Sequence, residues 1–233
     1  MSRELGLQLG QYNYPSSWLR IMNAIELRDV LDSVTIRYQC IDHYDEHQQR
    51  RERKSFLAEA RRIFQEEQVR YRIDDEAGVH FAQDSEFERM RVSTIASLTD
   101  ARFDGVRAAF DEAFVCLDRQ PVDGKGGLRS AFFASEALFR LMFPTAHQLS
   151  GGEVRKHLQP LVDAVYAAQK PAIYLAQKQV QSFTDWIDGA HFYRHEPGTE
   201  DPAQPPLELA IFMISQAGGF IRWLAFLDAK RPR

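Results

Sequence analysis

The stretch that decides the fold is residues 128–143, LRSAFFASEALFRLMF. Phe132, Phe133, Leu138, Phe139, Leu141, Met142 and Phe143 leave almost no wholly polar face. A helix of that kind has to be surrounded by other helices, because an apolar surface all round cannot stay in water. Its polar exceptions, Arg129, Glu136 and Arg140, fall along one line with Phe133, and Glu136 and Arg140 have the spacing of an intrahelical ion pair.

The flanking sequence supplies the walls. Upstream, Asp84 or Ser85 can cap a helix carrying Phe87, Met90, Ile95 and Leu98, and the next helix carries Phe103, Val106, Phe110, Phe114 and Leu117. PVDGKGG then reads as a loop that opens the central helix at about Leu128. Downstream, Ser150 and Glu153 have capping-box spacing before Val154, Leu158, Leu161, Val162 and Val165. Pro171 suits the first turn of a helix whose stripe runs Ile173, Ala176, Val180, Phe183, Ile187, Ala190 and Arg194, which points Arg194 to the packed side. Pro205 and Pro206 open a last helix with the stripe Leu207, Ile211, Ile214, Gly218, Ile221 and Ala225, thickened by Phe212, Phe220, Trp223 and Leu227. Glu208, Ser215 and Arg222 recur every seven residues as its polar line, beside Gly219, whose missing side chain would let another helix or a ligand come close.

Before residue 84 the pattern differs. Ser16 and Ser17 can cap a first helix through Trp18, Ile21, Ile25 and Leu27, and Ser33 can begin a second through Val34, Tyr38 and Ile41. Residues 48–68 read as a solvated amphipathic helix, its run Arg50, Arg51, Arg53 and Lys54 taken as surface. Val69, Tyr71 and Ile73, then Val79 and Phe81, alternate at period two around DDEAG, which predicts a short hairpin. The expected fold is therefore mainly α: an N-terminal helical module ending in a β-hairpin, residues 1–83, and a helical bundle, residues 84–233.

Composition narrows the function classes. Apolar residues make up 44% and charged residues 27%, ordinary for a globular chain. The net charge of −4 argues against a generally basic nucleic-acid coat, although a local basic pocket is compatible with it. Cys40 and Cys116 are far apart and lack metal-ligand spacing, so they read as reduced thiols. No secretory h-region and no uncharged apolar run of membrane-spanning length is visible, so a cytoplasmic protein without membrane contact and without a cofactor is expected.

The chemistry-bearing cluster is WIDGAHFYRH. His191, Arg194 and His195 project to one broad side of a continuing helix, and Asp188, three residues before His191, could fix an imidazole tautomer. Two histidines and an arginine suit metal-independent cleavage of RNA: one imidazole takes the 2′-hydroxyl proton, the other protonates the leaving oxygen, and the guanidinium stabilises the phosphorane. Glu208, Ser215, Arg222 and Arg140 are expected as supporting polar neighbours. The competing reading is structural, with the same cations securing the helix end through Glu196, Glu200 or Asp201. HYDEH, His43 to His47, matches an inverted zinc-protease pattern with Glu46 as base but has no third ligand, so no metal is expected. GKGG, Gly124 to Gly127, lacks the Ser or Thr of a P-loop and reads as a loop.

From residue 84 onwards the helix succession resembles the HEPN-type bundles of abortive-infection and toxin proteins, with ASEALFRLMF at its centre and FYRHEPG before the terminal LELAIFMISQAGGFIRW. The resemblance implies a dimeric, metal-independent ribonuclease with an arginine followed four to six residues later by a histidine. Arg140 and His147, and Arg37 and His43, approach that spacing, but Leu141 and Tyr38 stand where a polar residue is common, and Arg194 adjoins His195 directly. The functional expectations are a ribonuclease-like toxin or phage-defence protein acting on RNA as a homodimer, or a non-catalytic helical module binding a protein or a small anion.

Overall fold

The computed structural model describes residues 25–194 and 204–231, so the helix expected from Ser16 to Leu27 falls almost wholly outside them. Helix takes 74% of the described residues, and a two-stranded antiparallel hairpin is the only sheet among them, which is the mainly α architecture expected. The chain divides after Asp84 into two compact units.

The first unit holds α1 (Leu27–Gln39), α2 (Glu46–Glu66), β1 (Tyr71–Ile73) and β2 (Val79–Phe81). Ser33 does not start a helix; it lies inside α1, its hydroxyl donating to Val30 O at 2.6 Å, because a serine within a helix can bond the preceding turn as readily as cap one. Leu57, Ile73 and Ala77 form a small core walled by Val34, Tyr38, Ala60, Phe64 and Val79. Thr35 donates to Ala77 O at 2.6 Å and Arg61 Nε to Ile73 O at 2.9 Å, tying the hairpin to both helices. Asp74 organises the turn: its carboxylate accepts the N–H groups of Glu76 and Gly78 and shares a bond with His80 Nε2.

The second unit holds α3 (Ser85–Ala96), a 3₁₀ turn (Ala101–Phe103), α4 (Asp104–Asp118) and α5 (Gly124–Met142). It continues with α6 over residues 151–166, α7 (Lys170–Arg194) and α8 (Leu207–Ala229). As expected of an almost wholly apolar helix, α5 is the centre, packed on α4, α7 and α8. It begins at Gly124, four residues earlier than its apolar pattern, because Asp123 accepts the Gly126 N–H at 2.7 Å and so caps GKGG as a first turn. Gly127 is needed there: a Cβ would lie 3.0 Å from Ala113 O on α4 and 3.2 Å from Ile214 on α8. Glu136 accepts the Leu149 N–H at 2.9 Å, and Arg140, one turn further on, is exposed.

In α6 the expected Ser150 cap is present, accepting the Glu153 N–H at 3.4 Å, and residues Val154–Leu158 adopt a π turn. Pro160 stands two residues after that turn and has no N–H to give, which is where a helix relaxes to wider bonding. α7 buries Ala176, Val180, Phe183, Ile187 and Ala190, the stripe read from spacing.

α8 is fixed by a close approach to α3. Gly218 is fully packed: a Cβ there would fall 2.1 Å from Met90 Sδ and 2.9 Å from Thr94 Oγ1, and the Thr94 hydroxyl reaches Gly218 O at 3.3 Å. The neighbouring Gly219 has nothing within 4 Å of its Cβ position. Substituting Gly218 by Ala should therefore destabilise the protein by about 1–3 kcal/mol through overpacking. Within a single chain, Gly219→Ala meets no clash and should be favoured by up to about 1 kcal/mol through helix propensity. Urea denaturation of the two variants checks this, and equal shifts would contradict the assigned environments.

The hairpin carries a pH dependence. Burial pushes the Asp74 carboxyl up, but the His80 bond and the two backbone N–H groups outweigh it and hold the carboxyl below its ordinary value. A carboxyl depressed in the folded state stabilises fully above the unfolded value of about 3.9, and that contribution is lost as pH falls through the folded value. Hydrogen exchange at the Gly78 amide should accelerate, relative to its intrinsic rate, as pH falls through that range, and Asp74→Asn should remove the pH dependence.

Candidate functional site: the end of α7 and the outer face of α8

The second unit places its polar side chains by fixing its aromatic ones. Phe132 of α5 stacks on Trp186 of α7 at 6.1 Å, Trp186 on Phe183 at 6.0 Å, and Phe183 meets Phe220 of α8 at 4.8 Å. Trp186 Nε1 donates to Met213 O at 3.0 Å, so the ring is hydrogen-bonded as well as packed. With this side of α7 turned inward, Asp188 and His191 fall on its exposed side. Arg194 is the last residue of α7; its side chain and the whole of His195 lie outside the described residues. The structure therefore shows two of the four cluster side chains, both in solvent.

Of the supporting residues on α8, Glu208 and Arg222 are exposed, and the Ser215 hydroxyl donates to Ile211 O in its own helix at 2.8 Å. The reason is rotational: with Gly218 facing α3, Glu208 and Arg222 lie about 80° and about 40° round the helix from it at 100° per residue, on the side of Gly219. Arg140 and His147 are likewise exposed.

What α8 presents outward is mostly apolar. Phe212 is 57% exposed, Phe226 46% and Leu209 44%, so Phe212, expected to thicken the core, faces solvent instead. Lys230 Nζ lies 5.8 Å from the Phe226 ring centroid, which brings its ammonium over the same line. Beside this line a groove of about 350 Å³ runs between α7 and α8, lined by Gln179, Ser182, Gln216, Gly219, Phe220 and Trp223. Trp223 Nε1 closes one end by donating to the Tyr166 hydroxyl at 3.3 Å. By length and composition α8 is the one described helix that could cross a membrane, its most apolar window having a mean hydropathy of 1.5 with 44% of it buried. Sequence reading recognised the helix and its glycine but not which line faced out; the opposite environments of Gly218 and Gly219 supply that.

The remaining motifs are accounted for structurally. His43 is bonded to Glu52 at 2.5 Å and holds that carboxyl below its usual range, while Asp45 caps α2 by accepting the His47 N–H. No group of three potential ligands gathers as a metal site among the described residues. Along α2, Arg50, Arg53, Lys54 and Arg61 line a groove of about 590 Å³, but Arg53 lies over the Tyr38 ring and Arg61 holds Ile73 O and Asp75. At the start of α5 the Lys125 N–H goes to Gln204 at 2.9 Å, so the first-turn amides are not presented to an anion. Lys125 itself is 4% exposed, and its Nζ has no hydrogen-bond partner among the described residues. An ammonium buried in that way costs free energy that a thioether of similar length does not. Lys125→Met should raise the urea midpoint; a lower midpoint would show that the ammonium is compensated. No family model, curated protein or solved structure matches the chain.

Proposed function

We propose that the chain is a non-catalytic helical interaction module that docks a protein partner on the outer face of α8. The observation that carries this is the exposure of Phe212, Phe226 and Leu209 around Gly219 on a helix whose other side is fully packed. Apolar rings aligned on one face, rather than scattered, are the pattern of a surface covered in use. A photo-reactive residue at position 212 should give a discrete cross-linked product in expressing cells, while the same residue at the more exposed Tyr174 of α7 should not. No product at 212, or the same products at both positions, would sink the reading.

A second reading is favoured by Asp188 and His191, exposed three residues apart on α7 immediately before Arg194 and His195. On this reading, which the resemblance of the sequence to HEPN-type bundles suggests, the chain is a cytoplasmic ribonuclease-like toxin or defence protein. His191 and His195 exchange protons with RNA, and Arg194 stabilises the phosphorane. Purified protein should then cleave RNA without added metal and lose at least about a hundredfold in rate on His191→Ala. An intact RNA panel would end it.

A further inference from the structure

We infer that the occupant of the α8 face is a second copy of this chain, its α8 lying antiparallel to the first about a two-fold axis at Gly219. This rests on the reading of α8 as a docking face and names the partner.

The order of residues along the exposed line points to this occupant. At 100° per residue Glu208, Phe212, Gly219, Phe226 and Lys230 fall within a narrow strip of the helix. The strip is symmetric about its glycine: Phe212 and Phe226 lie seven residues to either side, Glu208 and Lys230 eleven. A two-fold contact brings residue 219 − k against residue 219 + k of the partner, because an isologous interface pairs i with j and j with i. Gly219 then meets Gly219, which has no neighbour of its own within 4 Å, and each Phe212 meets a Phe226 about 10 Å along the helix. Gln216 falls opposite Arg222, and each Glu208 opposite a Lys230.

Charge selects this arrangement over the alternative. A parallel pair would set Glu208 on Glu208, Arg222 on Arg222 and Lys230 on Lys230, whereas the antiparallel pair joins opposite charges at both ends. The seven-residue spacing of Phe212, Gly219 and Phe226 is also the repeat that keeps two helices in register at a crossing angle near 20°. A glycine at the centre lets the backbones approach until the flanking rings overlap.

The test uses the full chain with exposed Cys40 changed to Ser; Cys116 is buried and can stay. Light scattering after size exclusion should give twice the chain mass. Under mild oxidation Gly219→Cys should form a covalent dimer. Phe212→Cys and Phe226→Cys should form one only when both variants are mixed, since like positions stand about 20 Å apart across the axis. Phe212→Asp with Phe226→Asp should weaken the dimer at least about a hundredfold while leaving the circular dichroism unchanged. A monomer at micromolar concentration overturns the proposal, as does a dimer in which Phe212→Cys links to itself. Cross-linking of position 212 to a different protein, or transfer of a dye at 219 into phosphatidylcholine vesicles, also overturns it. The different-protein outcome leaves the docking reading intact, and no product at all removes both.

Discussion

One close contact sets the rotation of α8, and most of the second unit depends on it. Thr94 and Met90 of α3 occupy the space where a side chain at 218 would be, so that residue can only be glycine without displacement. A helix turns as a rigid body, so fixing one residue fixes all: Ile211, Ile214, Ile221 and Leu224 go into the core, and Phe212, Gly219 and Phe226 go out. The outward rings follow from inward packing, and need no separate cause in the fold.

The aromatic column does the same for α7. Trp186 is held between Phe132, Phe183 and Phe220, and its indole N–H is satisfied by a backbone carbonyl of α8. That pins the helix face and leaves Asp188 and His191 on the exposed side of α7. Glu208 and Arg222 of α8 share that outward placement, so the described part of the second unit has an aromatic centre and a polar and apolar mixture on its surface.

Much of this was legible in the sequence because period and capping chemistry are local. The mostly apolar run at 128–143 required a central helix, although Phe133 and Leu141 of that run stay exposed; Ser150, the Val79–Phe81 alternation and the α7 stripe fell where residue spacing put them. What failed was what depends on a neighbour. GKGG reads as a loop until Asp123 caps it, and Ser33 reads as a cap until it bonds back to Val30. Glu208, Ser215 and Arg222 share one line in any helix, but whether that line faces a core is settled only by Gly218 and α3, more than a hundred residues apart in sequence. For the cluster of Asp188, His191, Arg194 and His195, sequence gave the spacing and structure adds the exposure of the first two.

On the proposed reading the α8 face that carries Phe212, Gly219 and Phe226 is covered in use, with Gly219 at the centre of the contact. Electron–electron dipolar spectroscopy on protein carrying a single spin label at position 230 tests it most directly. A single distance of about 33 Å between labels on two chains, the separation along antiparallel helices centred on Gly219, is the predicted result. An absence of intermolecular coupling at concentrations where the protein is folded and soluble would contradict the account.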